Sequence, residues 1–493
     1  MPSFRTTLFP LLILFSSFSA FGQNNTPDKP SWWNKYQYLS THPASPNAGS
    51  IKSAAVGPNV DVSNECGPQS ETYITVNTGN PTNLAGGSNE IFRDPMRAYS
   101  SFDNGASWTG VDAPLPPPLN TSNGSRFGSD PSLVFDTRGN LFYSYIVVFF
   151  GSGNGINGTE LAVAKSTDGG KTFGGATFFS FSGGSNHFND KPMITADRSL
   201  ISPFRDNVYV AWDAASGGSG AGGIRVAHSS DHGATFTVNR ADDPHGPGRS
   251  IGAVPFVGPH GELYVAWNDF LANAIIVNRS FDGGNTWGTP SVVSFKTLPF
   301  AIAIPAESFR GALEYPACDT DRSGGPHNGR VHCSWMDITA LGTTDIFTAF
   351  SDDNGATWSA RQSVTDSLGL VDRFNHWLSV DPADGSVNVS FYDTRNDQTG
   401  SRFQTDIYFT QSEDGGVNWR RPNTRVSSVS SNEHDCNGVF PCSAINYGNQ
   451  QGDYAGLVSF GGVSHPIWTD SRNNLQVCGS GLRMEEVFTA GVQ

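Results

Sequence analysis

Charged residues are scarce in this sequence, and basic residues are the scarcer sign. Asp, Glu, Lys and Arg together make up 15% of the 493 residues, and 30 Lys and Arg against 45 Asp and Glu leave a net charge of −15. Lys and Arg form no cluster of the kind that binding to a phosphate backbone requires. We therefore expect no nucleic-acid partner.

Long apolar runs are also missing. The longest, from Leu8 to about Phe18, is too short to cross a membrane. One Arg precedes it, and Ala20 and Gly22 fit the −3 and −1 positions of a signal-peptidase site, so residues 1–22 are predicted to be a signal peptide and 23–57 an N-terminal extension. We expect a secreted or periplasmic protein without a membrane span, and a monomer.

Cysteine pairs with the spacing of a zinc site are absent. None of the six cysteines forms a CxxC pair, so we expect no zinc centre and no organic cofactor. An even number of cysteines in an exported chain favours disulfides instead. The six are Cys66, Cys318, Cys333, Cys436, Cys442 and Cys478.

The sequence does contain a repeated turn. The pattern S-x-D-x-G-x-[TSN]-[WF], which we call the turn signature, has its aspartates at Asp103, Asp168, Asp231, Asp282, Asp353 and Asp414. Asp accepts hydrogen bonds from N–H groups of its own turn, Gly supplies a positive φ, and the aromatic residue begins a strand. Because one active site does not need six copies, we interpret the signature as the marker of a repeat architecture.

Four strands are predicted for each repeat, as in a propeller blade, because β-branched and aromatic residues alternate between Gly, Asn and Asp turns. Seven segments fit the second strand: 83–90, 141–148, 207–213, 262–269, 330–337, 386–393 and 464–470. The seventh is followed by a third strand at 485–492, and PNVDVSNE (58–65) resembles the fourth strand of the sixth repeat, PNTRVSSV (422–429). We predict an all-β, seven-bladed β-propeller over 58–493, whose last blade is completed by residues 58–64.

The six signatures resemble the BNR or Asp-box repeat family, whose best-known members are sialidases. DKPMITAD (190–197) and FYDTRND (391–397) are similar to segments of other secreted members. The resemblance implies a carbohydrate-active propeller; for a sialidase it also implies three arginines, a Tyr–Glu nucleophile pair and an acidic acid/base residue. The nearest match to the family's first arginine motif is FRDP, and its Arg93 lies within the first blade rather than before it. Sialidases have six blades, so a seventh is a departure.

Acidic residues are predicted to surround one end of the channel. The signature turns share one face of a propeller, which we call the signature face; the connections from each fourth strand to the next blade share the other, the mouth face. Second strands end in Glu90, Asp213, Asp269, Asp337, Asp393 and Asp470, and first strands begin near Glu71, Asp130, Asp190, Glu314 and Asp453. Two interpretations stay open: local hydrogen bonds to backbone N–H groups, or a carboxylate funnel for Ca²⁺ or a cationic ligand.

Residues unique to one blade are the better functional candidates. The 431–454 loop is long for a compact fold. Its predicted catalytic residues are Glu433, His434, Asp435, Tyr447 and Asp453. Predicted substrate-binding residues are Arg310, Arg373, His376, Arg395, Arg472 and His187, with Lys191, His245, Arg249, Glu307 and Glu314 as further candidates. Each candidate also has a structural interpretation. A histidine in a loop is explained by a structural hydrogen bond, and Arg395 and Arg472, which follow an aspartate as D-x-R, are explained by local ion pairs.

Two functions fit these residues, and a structural role in an envelope complex is a third alternative. The first is a secreted glycoside hydrolase or polysaccharide lyase acting at the channel mouth, because glycosidases need two carboxyl groups and uronate lyases need an Arg with a His or Tyr base. The second is a non-catalytic propeller that binds a glycan or a protein, as suggested by Gly- and Ser-rich loops such as 151–160 and 215–223.

The blade map also predicts the disulfides. Cys318 and Cys333 fall on adjacent strands of blade 5, and Cys66 and Cys478 both flank blade 7. These two pairs leave Cys436 with Cys442.

Overall fold

The computed structural model describes residues 59–65, 67–91, 93–120, 124–151, 155–184, 188–214, 222–242, 250–307, 311–366, 369–434, 451–472 and 485–493. The predicted signal peptide and N-terminal extension lie outside these ranges and stay predictions. Within these ranges, no helix has the length and apolar character that crossing a membrane requires.

The described residues form seven antiparallel sheets of four strands. Blade 1 contains β2 (Gln69–Val76), β3 (Leu84–Glu90), β4 (Arg97–Ser101) and β5 (Thr109–Asp112). Blade 2 contains β6 (Ser125–Phe135), β7 (Leu141–Phe150), β8 (Ile156–Ser166) and β9 (Ala176–Gly183). Blade 3 contains β10 (Asp190–Ala196), β11 (Val208–Asp213), β12 (Ile224–Ser229) and β13 (Thr237–Arg240). Blade 4 contains β14 (Ser250–Val257), β15 (Leu263–Asp269), β16 (Ala274–Ser280) and β17 (Ser291–Phe295).

A short hairpin, β18 (Ala301–Ile302) and β19 (Ala312–Leu313), separates blades 4 and 5. Blade 5 contains β20 (Ala317–Thr320), β21 (Val331–Ile338), β22 (Thr344–Ser351) and β23 (Gln362–Ser363). Blade 6 contains β24 (Arg373–Val380), β25 (Val387–Asp393), β26 (Asp406–Ser412) and β27 (Thr424–Arg425). Blade 7 contains β28 (Gly456–Phe460), β29 (Val463–Asp470), β30 (Glu486–Thr489) and, from the N-terminal side, β1 (Val60–Asp61).

The predicted seven-bladed fold is confirmed. All seven segments predicted as second strands are second strands, namely β3, β7, β11, β15, β21, β25 and β29. The closure is also as predicted, since β1 pairs with β30 and places Val60 opposite Thr489. The first strands contact one another around the ring, including β2 with β28, so the blades enclose a central channel.

Both faces of each blade are covered by its neighbours, so the second strands are buried along almost their whole length. A tryptophan recurs at one position of these strands, at Trp212, Trp267, Trp335 and Trp468. Each is at most 2% exposed. Burying an aromatic side chain of this size stabilises the fold by roughly 1.5–3 kcal/mol, so this repeated packing is a main source of blade-to-blade cohesion.

The signature turns use their aspartates structurally. In one of them Asp353 Oδ1 accepts hydrogen bonds from Ser351 Oγ (2.8 Å) and Thr357 N (2.8 Å), and Oδ2 accepts one from Thr357 Oγ1 (2.6 Å). Gly355 follows at φ 75°, a conformation that glycine adopts readily. Both carboxylate oxygens are therefore occupied within the turn.

The same turns also connect neighbouring blades. Thr177 Oγ1 of blade 2 donates to the carbonyl of Gly233 in the next turn (2.7 Å), and Asn239 Nδ2 of blade 3 donates to that of Gly284 (2.9 Å). Each of these donors lies on the fourth strand of its blade and faces the signature turn of the next blade. The signature thus marks the blades and joins them.

One predicted disulfide lies within the described residues. Cys318 and Cys333 are bonded and stand opposite each other on β20 and β21, as predicted. The other four cysteines lie outside the described residues, so their pairing stays a prediction.

Candidate functional site

The mouth of the channel is built by bulges in the first strands. In five blades, one extra residue interrupts the pairing of the first and second strands near the mouth face. One residue in each bulge has a positive φ: Glu71 (53°), Asp130 (61°), Lys191 (49°), Gly252 (75°) and Asn375 (44°). A bulge re-aims side chains, and the left-handed conformation costs a non-glycine residue roughly 1–3 kcal/mol. Because the bulge recurs in five blades, we interpret it as architecture, and the functional candidates are the different side chains that the bulges carry.

Two glycines make room for side chains at this level. A Cβ on Gly252 would lie 2.3 Å from Cδ1 of Tyr315, and a Cβ on Gly452 would lie 2.6 Å from Cγ of Glu71. Tyr315 follows the β18–β19 hairpin, and its ring packs edge-on against Phe300 with centroids 5.3 Å apart. The insertion between blades 4 and 5 therefore delivers an aromatic ring to the mouth.

Lys191 extends from blade 3 to rings that precede the first strands of blades 5 and 7. Its Nζ lies 3.1 Å from the ring centroid of Tyr315 and 3.8 Å from that of Tyr454. Lys191 is 3% exposed, and Nζ has no hydrogen-bond acceptor among the described residues. Contact with two aromatic faces offsets part of the hydration that a buried ammonium loses.

Burial lowers the pKa of the Lys191 ammonium to about 8, against the opposing effect of four carboxylates. These belong to Asp453, Glu71, Asp130 and Asp190, in decreasing order of effect. Asp130 also accepts a hydrogen bond from the backbone N–H of Lys191 (3.1 Å), and Asn89 Nδ2 donates to Glu71 Oε2 (2.6 Å). The amine thus titrates close to neutral pH in an acidic surrounding.

A histidine completes the group. Burial lowers the pKa of His376 to about 4, and the charge of Lys191 acts in the same direction. Its Nε2 is buried and has no hydrogen-bond partner in the described part of the chain. The hydroxyl of Tyr454 donates to the carbonyl of Pro131 at 3.2 Å. We call Glu71, Asp130, Lys191, Tyr315, His376, Asp453 and Tyr454 the mouth cluster.

The predicted catalytic loop contributes Asp453 to this cluster, but His434 lies elsewhere. His434 is exposed; its Nε2 is 2.8 Å from the carbonyl oxygen of Pro305, and its ring centroid is 4.3 Å from that of Phe403. Glu433, the residue before it, is buried. Asp435 and Tyr447 lie outside the described residues, and their catalytic roles stay predictions.

Three of the predicted substrate-binding arginines are engaged in ion pairs. Arg373 is 3% exposed and pairs with Asp393 (2.9 Å) and Asp345 (3.3 Å). Arg395 pairs with Asp393 and Asp366, each at 2.7 Å, and Arg472 pairs with Asp470 at 2.6 Å. His376 is the predicted binding residue that the structure places in the mouth cluster. Arg310 and His187 lie outside the described residues, as do His245 and Arg249.

Two of the acidic ends of the second strands, Asp337 and Asp470, form local hydrogen bonds, whereas Asp213 is buried and its Oδ1 has no hydrogen-bond partner among the described residues. Asp337 accepts from the backbone N–H of Leu298 at 2.8 Å, and Asp470 accepts from that of Arg472 at 2.8 Å and from Trp468 Nε1 at 3.0 Å. These contacts match the first of the two interpretations. Glu314 and Glu307 are buried, and Glu314 pairs with Lys296 (3.6 Å). The described residues contain no group of three or more His, Cys, Asp or Glu side chains that could hold a metal ion.

Sequence reasoning missed Tyr315 and Asn375. A signal for the first was present, because a proline follows Asp130, Lys191 and Tyr315 at the same level of three blades. Aligning these X-Pro pairs would have placed Tyr315 beside Lys191. No comparable signal marks Asn375, whose Nδ2 donates to the carbonyl of Gly452 (2.9 Å) and ties blade 6 to blade 7.

Comparison with known proteins finds only distant structural likenesses. No protein-family model matches the chain, and no curated protein matches its sequence. Similar solved structures include the leech intramolecular trans-sialidase in complex with 2,7-anhydro-Neu5Ac (13% identity, 76% of this chain and 71% of that one, TM-score 0.48). Others are the NanB sialidase from Streptococcus pneumoniae (11%, 74% and 70%, 0.45) and an ulvan lyase of a new polysaccharide lyase family (11%, 71% and 80%, 0.42). At these identities no residue role is transferred to this chain.

Proposed function

We propose that this protein is a secreted, sialidase-like propeller that cleaves glycans at the mouth cluster, with the Lys191 ammonium as proton donor. The observation that carries the proposal is the state of Lys191: a buried amine between two aromatic rings, without a hydrogen-bond acceptor among the described residues, and with a pKa of about 8. A titratable group shifted by burial and by specific charges is a candidate for proton transfer.

The carboxylates beside Lys191 supply the second role that glycosidic cleavage needs. An enzyme of this kind pairs an acid with a carboxylate that acts as base or nucleophile. Asp453 exerts the largest charge effect on Lys191, followed by Glu71. We propose Asp453 as the carboxylate partner and Glu71 as the group that positions the ammonium. His376, with its pKa of about 4, is neutral at neutral pH and is available to accept a hydrogen bond from a sugar hydroxyl.

Charge favours a neutral glycan over a sialoside. Four carboxylates and one lysine leave an excess of negative charge at the mouth. Recognition of a substrate carboxylate calls for unpaired arginines, and Arg373, Arg395 and Arg472 are already paired with aspartates. A negatively charged sugar would therefore be repelled by the described part of the mouth.

A second candidate function, glycan binding without catalysis, is favoured by the closure of the mouth. Lys191, Tyr454 and Asp453 are 3%, 2% and 7% exposed. A glycan reaches the amine only after side chains at the mouth move. A propeller that binds at its rim needs no such movement.

The test is a turnover screen of the purified protein on neutral glycans, sialosides and uronates, followed by Lys191→Met and Lys191→Arg variants. We expect turnover of a neutral glycan, and Lys191→Met should lower kcat by roughly 10²–10⁴-fold, the usual contribution of a general acid. Because the acid is the protonated form, kcat/KM should fall above about pH 8. This alkaline limb should be absent from the Lys191→Arg variant, whose guanidinium stays protonated.

A matched control is Lys165→Met. Lys165 also lies over an aromatic ring, with Nζ 5.4 Å from the centroid of Phe142, but at the signature face. It should turn over substrate as the wild type does. Turnover by Lys191→Met within threefold of wild type would remove Lys191 from the reaction. Capture on a glycan array without product formation would replace catalysis by the binding function.

A further inference from the structure

A second polar site lies at the other end of the channel. On the signature-face side of Lys191, Trp377 packs between two tyrosine rings. Its ring centroid lies 6.4 Å from that of Tyr454 and 5.3 Å from that of Tyr73. Tyr73 and Trp377 also line a cavity of about 80 Å³ to which all seven blades contribute. The cavity is formed by the ends of the first strands, so it lies towards the signature face. The aromatic layer separates it from the mouth cluster.

Arg198 is the unsatisfied group of this cavity. It lies two residues after the end of β10 and lines the cavity, and its Nη1 is buried without a hydrogen-bond partner among the described residues. No carboxylate of the described chain forms an ion pair with it. Burial and the nearby charge of Arg322 lower the pKa of Arg198 to about 10, so the guanidinium is still charged at neutral pH.

Asp319, the carboxylate whose charge acts on Arg198, is already hydrogen-bonded to other groups. Asp319 Oδ1 accepts from Arg322 Nη1 (2.7 Å) and from the backbone of Thr320 (2.8 Å), while Oδ2 accepts from the backbone of Val380 (3.0 Å). Two guanidinium groups therefore share one carboxylate, which leaves the cavity with a net positive charge. Arg198 is half-buried, but its Nη1 is fully buried without an acceptor of its own, which is costly, and an anion at Arg198 would remove that cost.

We propose that the cavity at Arg198 is a binding site for a small oxyanion of the size of phosphate or sulfate. A bound water needs about 10–15 Å³ of such space, so the cavity has room for roughly five to eight waters, or one tetrahedral oxyanion with a few waters. Arg198 offers paired N–H donors, and Thr195 and Ser379 add hydroxyl groups to the lining. The site is independent of the proposed glycan cleavage, because it opens at the opposite face.

Isothermal titration calorimetry on the full chain tests the site. The protein is titrated with inorganic phosphate, inorganic sulfate, galactose 6-sulfate and sodium chloride at equal ionic strength. We expect saturable binding of phosphate or sulfate to one site, and no saturation with chloride. Arg198→Gln should weaken binding at least tenfold, and Arg198→Lys should weaken it less, because the charge stays but the paired donors are lost.

Arg205→Gln is the matched control, since Arg205 lies on the same connection and donates to Thr137 Oγ1 at the surface. Its affinity should equal that of the wild type. Binding of galactose 6-sulfate with equal affinity would show that the site takes an oxyanion carried by a sugar. Equal affinities of Arg198→Gln and wild type, or no saturable binding of any oxyanion, would overturn the proposal. If Arg198→Gln fails to fold, the Arg198→Lys variant decides: an affinity for phosphate and sulfate equal to that of the wild type would also overturn the proposal.

Discussion

The carboxylates of the signature face and those of the mouth face are held in opposite ways. On the signature face, hydrogen bonds from Thr357 lower the pKa of Asp353 to about 2, although the aspartate is exposed. On the mouth face, burial raises the pKa of Glu314 to about 7 and that of Glu485 to about 8. Ionisation of the signature-face carboxyl groups therefore stabilises the folded protein, and ionisation of the mouth-face carboxyl groups destabilises it.

This difference distinguishes carboxylates that hold the fold together, on the signature face, from carboxylates that are candidates for a reaction, on the mouth face. Exposed, fully hydrogen-bonded aspartates recur because every blade with a signature needs the same turn. Buried carboxyl groups whose pKa is raised, such as Glu314 and Glu485, weaken the folded state at neutral pH. Groups with such environments concentrate at functional sites. The mouth face is therefore where substitutions should have the largest and most pH-dependent effects.

The largest effect on stability is expected at the buried pair Lys296–Glu314, whose side chains are fully buried and whose charged atoms lie 3.6 Å apart. Lys296→Met should lower the free energy of unfolding by about 3–5 kcal/mol at pH 8, since it leaves a buried carboxylate unpaired. The cost should shrink at pH 5, where Glu314 is protonated. Urea unfolding at both pH values measures it.

The double variant Lys296→Met/Glu314→Gln should recover most of this loss, because no buried charge is left. Lys171→Met, an exposed lysine over the ring of Phe102 in a signature turn, should change stability by less than about 0.5 kcal/mol. If Lys296→Met and Lys171→Met lowered the free energy of unfolding equally, the proposed difference between the two faces would be wrong.

The pH dependence of Glu485 gives a smaller effect. Its pKa is about 8 in the folded state and about 4.5 when unfolded, so the folded state holds a proton that the unfolded state releases between these values. Stability from this group is present below pH 4.5 and is lost as the pH rises through 8. Glu485→Gln should therefore raise the free energy of unfolding by about 2–4 kcal/mol at pH 8 and change it little at pH 4.5.

Guanidinium unfolding of wild type and Glu485→Gln at the two pH values measures this difference. Glu413→Gln is the control, because that side chain is exposed at a signature turn and pairs with Arg420. It should show the wild-type pH dependence. If the free energy of unfolding of Glu485→Gln fell between pH 4.5 and 8 as steeply as that of the wild type, the pH dependence would come from groups other than Glu485.

The fold could be predicted almost completely from the sequence, because its determinants are local and repeated. The signature positions six turns, the alternation of apolar residues gives the strands, and the likeness of 58–65 to 422–429 gives the closure. The Cys318–Cys333 bond followed from the same map. The turns, the strands and the disulfide depend on residues that lie close together in the chain, whereas the closure of β1 on β30 was predictable because a repeated strand pattern occurs out of place near the N-terminus.

The site could be predicted only in part, because it depends on contacts between distant blades. Lys191, His376 and Asp453 were recognisable as unusual residues on one face. The X-Pro pairs place Lys191 and Tyr315 at the same level of the ring, but the distance between the amine and the ring and the positive φ of Lys191 are known only from the structure. Likewise, Arg373 looked available for a ligand until its two aspartate partners were known.

The smallest effect is expected from the signature turn itself. Asp353→Ala removes four accepted hydrogen bonds at an exposed turn and should cost about 1 kcal/mol, the usual cost of losing a side chain that accepts from the backbone. Asp353→Asn keeps one carbonyl oxygen for Thr357 N and should lose about half as much. Chemical denaturation at pH 7 resolves the series. A loss of several kcal/mol from Asp353→Ala would mean that the turn's link to the preceding blade, through Ser291 Oγ and the Gly355 carbonyl, carries more stability than the carboxylate's own bonds.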